Sequence, residues 1–246
     1  MNIISFAGKK QAGKDLCGVI CQYLLDKDSN NYTHNVSLED FEDWARNLHF
    51  RTCRWRIVKY ADKLKDMVCT LLSCTRAQLE DDEFKNTPLG PEWDKYKFQI
   101  DIAPEEYERL TDNQKGYYSQ VKLTPRLILQ LLGTDCGRDI IHPNIWVNAT
   151  MRDYEARNIR GSEYWHDKTY WIITDTRFPN EIEAVKERGG LNFQVIRPSI
   201  KRTDEHLSET ALDGYDGFDE VIINEGTRED LIFKLKDILI KYELIK

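Results

Sequence analysis

The run Asn2-Ile3-Ile4-Ser5-Phe6-Ala7-Gly8-Lys9-Lys10-Gln11-Ala12-Gly13-Lys14-Asp15 constrains this chain more than any other stretch. A short apolar segment of strand-favouring residues leads into Gly-x-x-x-x-Gly-Lys-Asp, and an amphipathic helical pattern follows. Strand, glycine-bounded loop, lysine and helix in that order form a phosphate-cradling P-loop. Gly8 and Gly13 let the backbone curl so that successive N–H groups point into one concavity. The following helix adds its positive dipole end, and Lys14 adds a point charge suited to β- and γ-phosphates. One position is unusual. Asp15 stands where a Ser or Thr hydroxyl ordinarily ligates magnesium.

The bulk numbers fit a well-cored α/β protein. The 246 residues accommodate one large domain or a domain with a sizeable insertion. Hydrophobic residues make up 41%, aromatics 11% and charged residues 31%, enough apolar material for a core beneath a solvated surface. A net charge of −7 argues against a general nucleic-acid scaffold. No apolar run approaches the ~18–20 residues of a membrane span. The chain enters its first strand directly, without the pattern of a signal peptide, so a cytoplasmic location is expected. The six cysteines show no Cys-x-x-Cys spacing and read as free thiols.

Alternating patterns predict strands near 2–7, 56–61, 169–174, 193–197 and 220–224, separated by helices. Helices are expected over about 13–25, from Ser37 through Leu48, from Asp62 to Leu72, and briefly within Thr75–Phe84. Thr124-Pro125 starts another, ending near Gly133, and His142-Pro143 starts the next. Pro179 opens one that stops at Gly189-Gly190, and Thr227-x-x-Asp230 caps the last. Residues 85–121 are irregular and rich in aromatics, and read as an insertion over a substrate site. The alternation predicts a mainly parallel five-stranded sheet with helices on both faces, a three-layer α/β/α arrangement. Ligands then bind outside the carboxyl ends of the strands.

The residues past those strand ends carry charge. Asp175 follows an apolar strand, the place of an acid that holds or orients magnesium; capping the Pro179 helix or pairing with Arg177 is the plain alternative. Asp15 is a second candidate near the metal. Arg177, Arg197 and Arg202 would clamp phosphates. The stretch Gln130–Arg138, with Asp135 inside it, offers amide, carboxylate and guanidinium groups for a base edge and a monophosphate, or simply a capped helix end. His206, Ser208 and Glu209 lack the strand–elbow context of a hydrolase, and a closing lid fits them better.

Taken in order, Gly8-Lys-x-x-x-Gly-Lys-Asp15, Lys65-Asp66, Arg126…Gln130-x-Leu132-Gly133-Thr134-Asp135, Trp146, Asp175-Thr176-Arg177, Arg197-Pro198, His206-x-x-Glu209 and Asn224-x-Gly226 resemble the deoxynucleoside monophosphate kinases of tailed bacteriophages. The resemblance spans the chain apart from about 85–121, although Leu16 stands where the family often has Thr. It implies a single P-loop kinase domain over 1–246, with helical monophosphate-binding and insert regions at about 75–160 and a lid at about 199–218. It also implies transfer of the ATP γ-phosphate to a dNMP with Mg2+, in the cytosol of a phage-infected bacterium. The ATP site would comprise Gly8, Lys9, Lys10, Gln11, Ala12, Gly13, Lys14 and Asp15, with Asn224 and Gly226 on the adenine side. Lys65, Arg126, Gln130, Asp135, Arg138 and Trp146 would receive the dNMP. Lys14, Asp15, Asp175 and Arg177 would carry the chemistry, Asp15 and Asp175 would hold magnesium, and Arg197, Arg202, His206 and Glu209 would form the lid. The partners would be ATP and the dNMP, without nucleic acid or membrane, and a homodimer is compatible with the sequence. Alternative readings are a kinase of another phosphorylated acceptor such as phosphomevalonate, and a nucleotide-binding module without transfer. An NTP-hydrolysing motor fits less well with the net charge.

Overall fold

The computed structural model describes residues 2–28, 37–39, 54–90, 92–93, 109, 122–159, 170–200 and 210–246. The chain forms two compact units, one of Met1–Ala61 with Trp146–Lys246 and the other of Asp62–Ile145.

The first unit is built on five parallel strands: β1 (Ile3–Ala7), β2 (Trp55–Val58), β3 (Tyr170–Thr176), β4 (Leu191–Ile196) and β5 (Glu220–Ile223). Their order in the sheet is β2-β3-β1-β4-β5. Every residue of β1 is buried, as a strand covered on both faces requires, and this explains an apolar run broken only by Ser5, whose hydroxyl bonds Asn192. Successive side chains point to opposite faces. Ile4, Phe6, Ile172 and Phe193 therefore pack with Cys17, Ile20 and Cys21 of α1 (Lys14–Asp28) and Leu231, Leu235 and Leu239 of the C-terminal helix Arg228–Lys241. On the other face Ile3, Trp171 and Ile173 pack with Val147, Met151 and Tyr154, from the helix Ile145–Ile159, and with Ala184 and Val185, from the helix Pro179–Lys186. Each fully buried aliphatic side chain contributes about 1.5–3 kcal/mol relative to exposure. The expected three layers are present in this unit. β1 runs on to β2 at one edge of the sheet and its neighbour β4 runs on to β5 at the other, a switch point that opens a crevice at the carboxyl ends.

The second unit holds α2 (Asp62–Leu72), α3 (Arg76–Glu80), α4 (Asp82–Asn86) and α5 (Pro125–Gln130). The single short helix expected over 75–84 is two, because Asp81 ends α3 in extended conformation and caps α4 through Phe84 N–H. Thr124 caps α5 as expected, accepting from Leu127 N–H at 3.2 Å. The winding does not stop at Gly133. It widens into a π-helix over Leu131–Ile141, closed by His142 N–H to Gly137 C=O at 3.0 Å. Glycine usually lies just past a helix end. Here Gly133 stays inside the winding, buried, with Leu64 Cδ2 2.9 Å from where a Cβ would lie. The second unit, 62–145, starts and finishes earlier than the insert region expected at 75–160. The remaining helices among the described residues are α6 (Ile145–Ile159), α7 (Pro179–Lys186) and α8 (Arg228–Lys241). The helix expected beyond Leu38, most of the 85–121 insertion, and Arg202, His206 and Glu209 lie outside the described residues.

Candidate functional site

The loop between β1 and α1 has the geometry its glycines suggest. Gly8 sits at φ 150°, where a Cβ would lie 2.3 Å from the Val195 carbonyl oxygen, and Gly13 sits at φ 101°. Gln11 also takes a positive φ of 64°. Ala12 N–H bonds Lys9 C=O at 3.2 Å, and Cys17 N–H bonds Gly13 C=O at 2.9 Å. Lys14 is buried and arches back over the loop, donating from Nζ to the carbonyls of Gly8 at 2.7 Å and Lys9 at 2.8 Å. Lys9 is ion-paired with Asp213, which belongs to the described end of the expected lid region.

Asn224, at the end of β5, reaches this loop. Its Nδ2 donates to Ala12 C=O at 2.8 Å, and a Cβ on Gly13 would lie 2.4 Å from that nitrogen. Gly226, two residues on, is exposed with φ 95°.

Asp15 points from the second residue of α1 toward the strand ends. Its Oδ1 accepts from Thr174 Oγ1 at 2.7 Å and pairs with Lys59 Nζ at 2.7 Å. Partial burial alone would raise this carboxyl, but Lys59, Thr174 and the Lys14 charge hold it below the usual carboxylate range. Its side chain remains 69% exposed. Asp175 takes a different position. Its two oxygens accept the N–H groups of Tyr60 at 2.8 Å and Ala61 at 2.9 Å, tying the turn after β2 to β3. Burial pushes its carboxyl above the usual range, against those two donors and the charges of Lys59 and Arg177. Arg177 N–H and Phe178 N–H both donate to Glu181, so Glu181 rather than Asp175 caps α7. Arg197 is exposed just past β4.

In the second unit, Lys65 pairs with Glu80 at 2.6 Å. Arg126 donates from Nε to Asn86 at 2.7 Å and from its NH2 group to Asp82 at 2.8 Å. Gln130 is half-buried at the start of the π-helix, Asp135 is exposed on it, and Arg138 is buried with one N–H to Pro143 C=O at 3.4 Å. Trp146 is buried in the first unit, 5% exposed.

Two partners of Asp15 escape a reading of the sequence. Lys59 looks like the outward member of an alternating strand, but β2 ends at Val58 and Lys59 is the first residue beyond it. Thr174 is one apolar-strand threonine among several. Magnesium asks for one or two carboxylates beside phosphate and water oxygens. Asp15, a hard oxygen donor exposed at the loop, fits that requirement. No group of three or more His, Cys, Asp or Glu side chains suited to a metal occurs among the described residues. No described helix is long and apolar enough to cross a membrane.

The family model for deoxynucleotide monophosphate kinases matches residues 60–235 of this chain, well over half of it. The chain belongs to the deoxynucleotide monophosphate kinase family. It is 34% identical over 114 residues to the deoxynucleotide monophosphate kinase of Enterobacteria phage T4, covering 46% of this chain and 44% of that protein. It is 32% identical over 140 residues to the enzyme of that name in Escherichia phage RB69, covering 57% and 53%. A deoxynucleoside-5'-monophosphate kinase of Escherichia phage T5 is 27% identical over 196 residues, covering 68% and 72%. The matches thus span about half the length of the T4 and RB69 proteins. The kinase-family match takes in Lys65, Arg126, Gln130, Asp135, Asp175 and Asn224, while the P-loop precedes it.

Proposed function

We propose that this chain transfers the γ-phosphoryl group of ATP to deoxynucleoside monophosphates, giving dNDP and ADP, within the infected-cell cytosol that its phage relatives point to. The observation that carries the reading is the β1–α1 loop. Gly8 and Gly13 adopt conformations closed to other residues, and the lysine sits at the start of a 15-residue helix. Family membership supplies the reaction class.

Phosphoryl transfer needs positioning and charge stabilisation more than covalent chemistry. The N–H groups of Gly8, Lys9, Lys10, Gln11, Ala12, Gly13 and Lys14 would hold the β- and γ-phosphates, and Lys14 would exchange its two loop carbonyls for phosphate oxygens. Asn224 would brace the loop from the adenine side, with Gly226 beyond it. Magnesium, when bound with ATP, would supply neutralising charge, with Asp15 as its carboxylate and Asp175 as a supporting one. Arg177, Arg197 and the lid residues Arg202, His206 and Glu209 would steady the transferring group. Lys65 and Arg126 would accept the dNMP phosphate in exchange for Glu80 and Asp82. Gln130, Asp135 and Arg138 would serve the nucleoside.

Incubation with Mg-ATP and a panel of dNMPs, NMPs and phosphomevalonate, followed by ADP release, tests this directly. Turnover on one or more dNMPs is expected, and Lys14→Ala should lower kcat by about 100-fold or more with the fold intact. Tight ATP binding without transfer to any acceptor would sink the reading.

A further inference from the structure

A carboxylate directly after the P-loop lysine creates an electrostatic conflict. Asp15 would repel the phosphates that the loop is shaped to hold unless a cation stands beside it. The fold brings one from another strand. Lys59 reaches to 2.7 Å from Asp15 Oδ1, and Thr174 donates to the same oxygen at 2.7 Å, fixing the orientation of the carboxylate. Lys59 is held by its neighbours as well. The two residues after it bond Asp175 through their N–H groups, at 2.8 and 2.9 Å. The Tyr60 hydroxyl then donates to Glu181 C=O at 2.9 Å. The Lys59 side chain is only 27% exposed. β3 therefore supplies both the hydroxyl that orients Asp15 and the carboxylate that anchors the turn carrying its cation.

We propose that Lys59 is a built-in counter-ion for Asp15, a positioning residue that lets the P-loop accept nucleotide phosphates even without a divalent cation. The proposal rests on reading the loop as an ATP site. Its consequence is a split between two forms of one ligand. Metal-free ATP meets a carboxylate already neutralised by Lys59, and without Lys59 it meets a bare negative charge. Mg-ATP would bring its own cation to neutralise Asp15, so it should depend on Lys59 far less. A residue that merely supported the fold would affect both forms alike, and the loss of one that touched phosphate directly would not be rescued by removing the Asp15 charge.

The test is ATP affinity by titration calorimetry on the full chain, in EDTA and in excess MgCl2. Lys59→Met should weaken metal-free binding by about tenfold or more while Mg-ATP affinity stays within about threefold. Lys59→Arg, which keeps the charge, should hold metal-free affinity near the wild-type value. Adding Asp15→Asn to Lys59→Met should restore it, and Asp15→Asn alone should leave metal-free binding as tight or tighter. Equal loss with and without magnesium, or no loss in either, would overturn the role of Lys59. Metal-free binding weakened by Asp15→Asn alone would overturn it too, and that arm leaves Lys59 unchanged should Lys59→Met fail to fold. Wild-type protein that binds no ATP in either condition would instead overturn the ATP-site reading.

Discussion

Gly8 is the residue whose replacement has the most determined outcome. Its φ of 150° and the Val195 carbonyl 2.3 Å from a would-be Cβ leave no conformation in which alanine fits without backbone movement. The obstructing atom belongs to β4, so the strain passes into the centre of the sheet rather than into a flexible side chain. Gly8→Ala should cost about 2–4 kcal/mol in urea denaturation and abolish measurable ATP binding. Wild-type stability with wild-type affinity in that variant would mean the loop does not approach β4 this closely. Lys14 shows the same economy. Its bonds to two loop carbonyls give a buried ammonium partners within the loop itself.

At the level of elements, the end of α2 combines order with local strain. Ser73 takes φ 51°, Cys74 N–H bonds Cys69 C=O at 3.0 Å, and Ser73 N–H reaches Thr70 C=O at 3.5 Å. This is a Schellman motif with serine where glycine is favoured. Ser73→Gly should stabilise the protein by about 0.5–1 kcal/mol, read as a higher denaturation midpoint with unchanged slope. A lower midpoint would show that the serine is retained for a contact of its own. The elements themselves were largely legible. The Thr124, Thr227 and Pro179 helix starts and all five strands follow from capping chemistry and alternation, which are local properties. Two features were not local. Gly133 carries a stop signal, yet the winding continues through it as a π-helix over Leu131–Ile141. The strand expected to run to Ala61 ends at Val58, and those three residues hid Lys59 among apparent strand positions. Sequence could mark Asp15 as an acid after the P-loop lysine and Asp175 as one at a strand end. It could not show that one accepts a lysine and the other two backbone N–H groups, because all three partners come from the turn after β2, distant in sequence from both acids.

For the whole molecule, the proposed reaction asks a chain of net charge −7 to bind two polyanions, so cations have to be concentrated locally and paired within the fold. Lys9 with Asp213 and Lys59 with Asp15 do this in the first unit, and Lys65 with Glu80 and Arg126 with Asp82 do it in the second. These pairs divide between the two units as the proposed ligands do. ATP should therefore slow amide hydrogen exchange first at Gly8–Lys14 and around Asn224, because bound phosphate replaces solvent at the loop N–H groups. A dNMP added alone should slow exchange in 62–86 and 122–141 instead, as its phosphate takes over Lys65 and Arg126. Any global stabilisation is bounded by mass action, about 2.7 kcal/mol at one hundred times Kd, so the regional pattern and not the melting temperature carries the information. Protection by dNMP confined to Gly8–Lys14 would place the acceptor phosphate at the P-loop and remove Lys65 and Arg126 from its binding site. Protection by ATP confined to 122–141 would likewise remove the P-loop from the donor site.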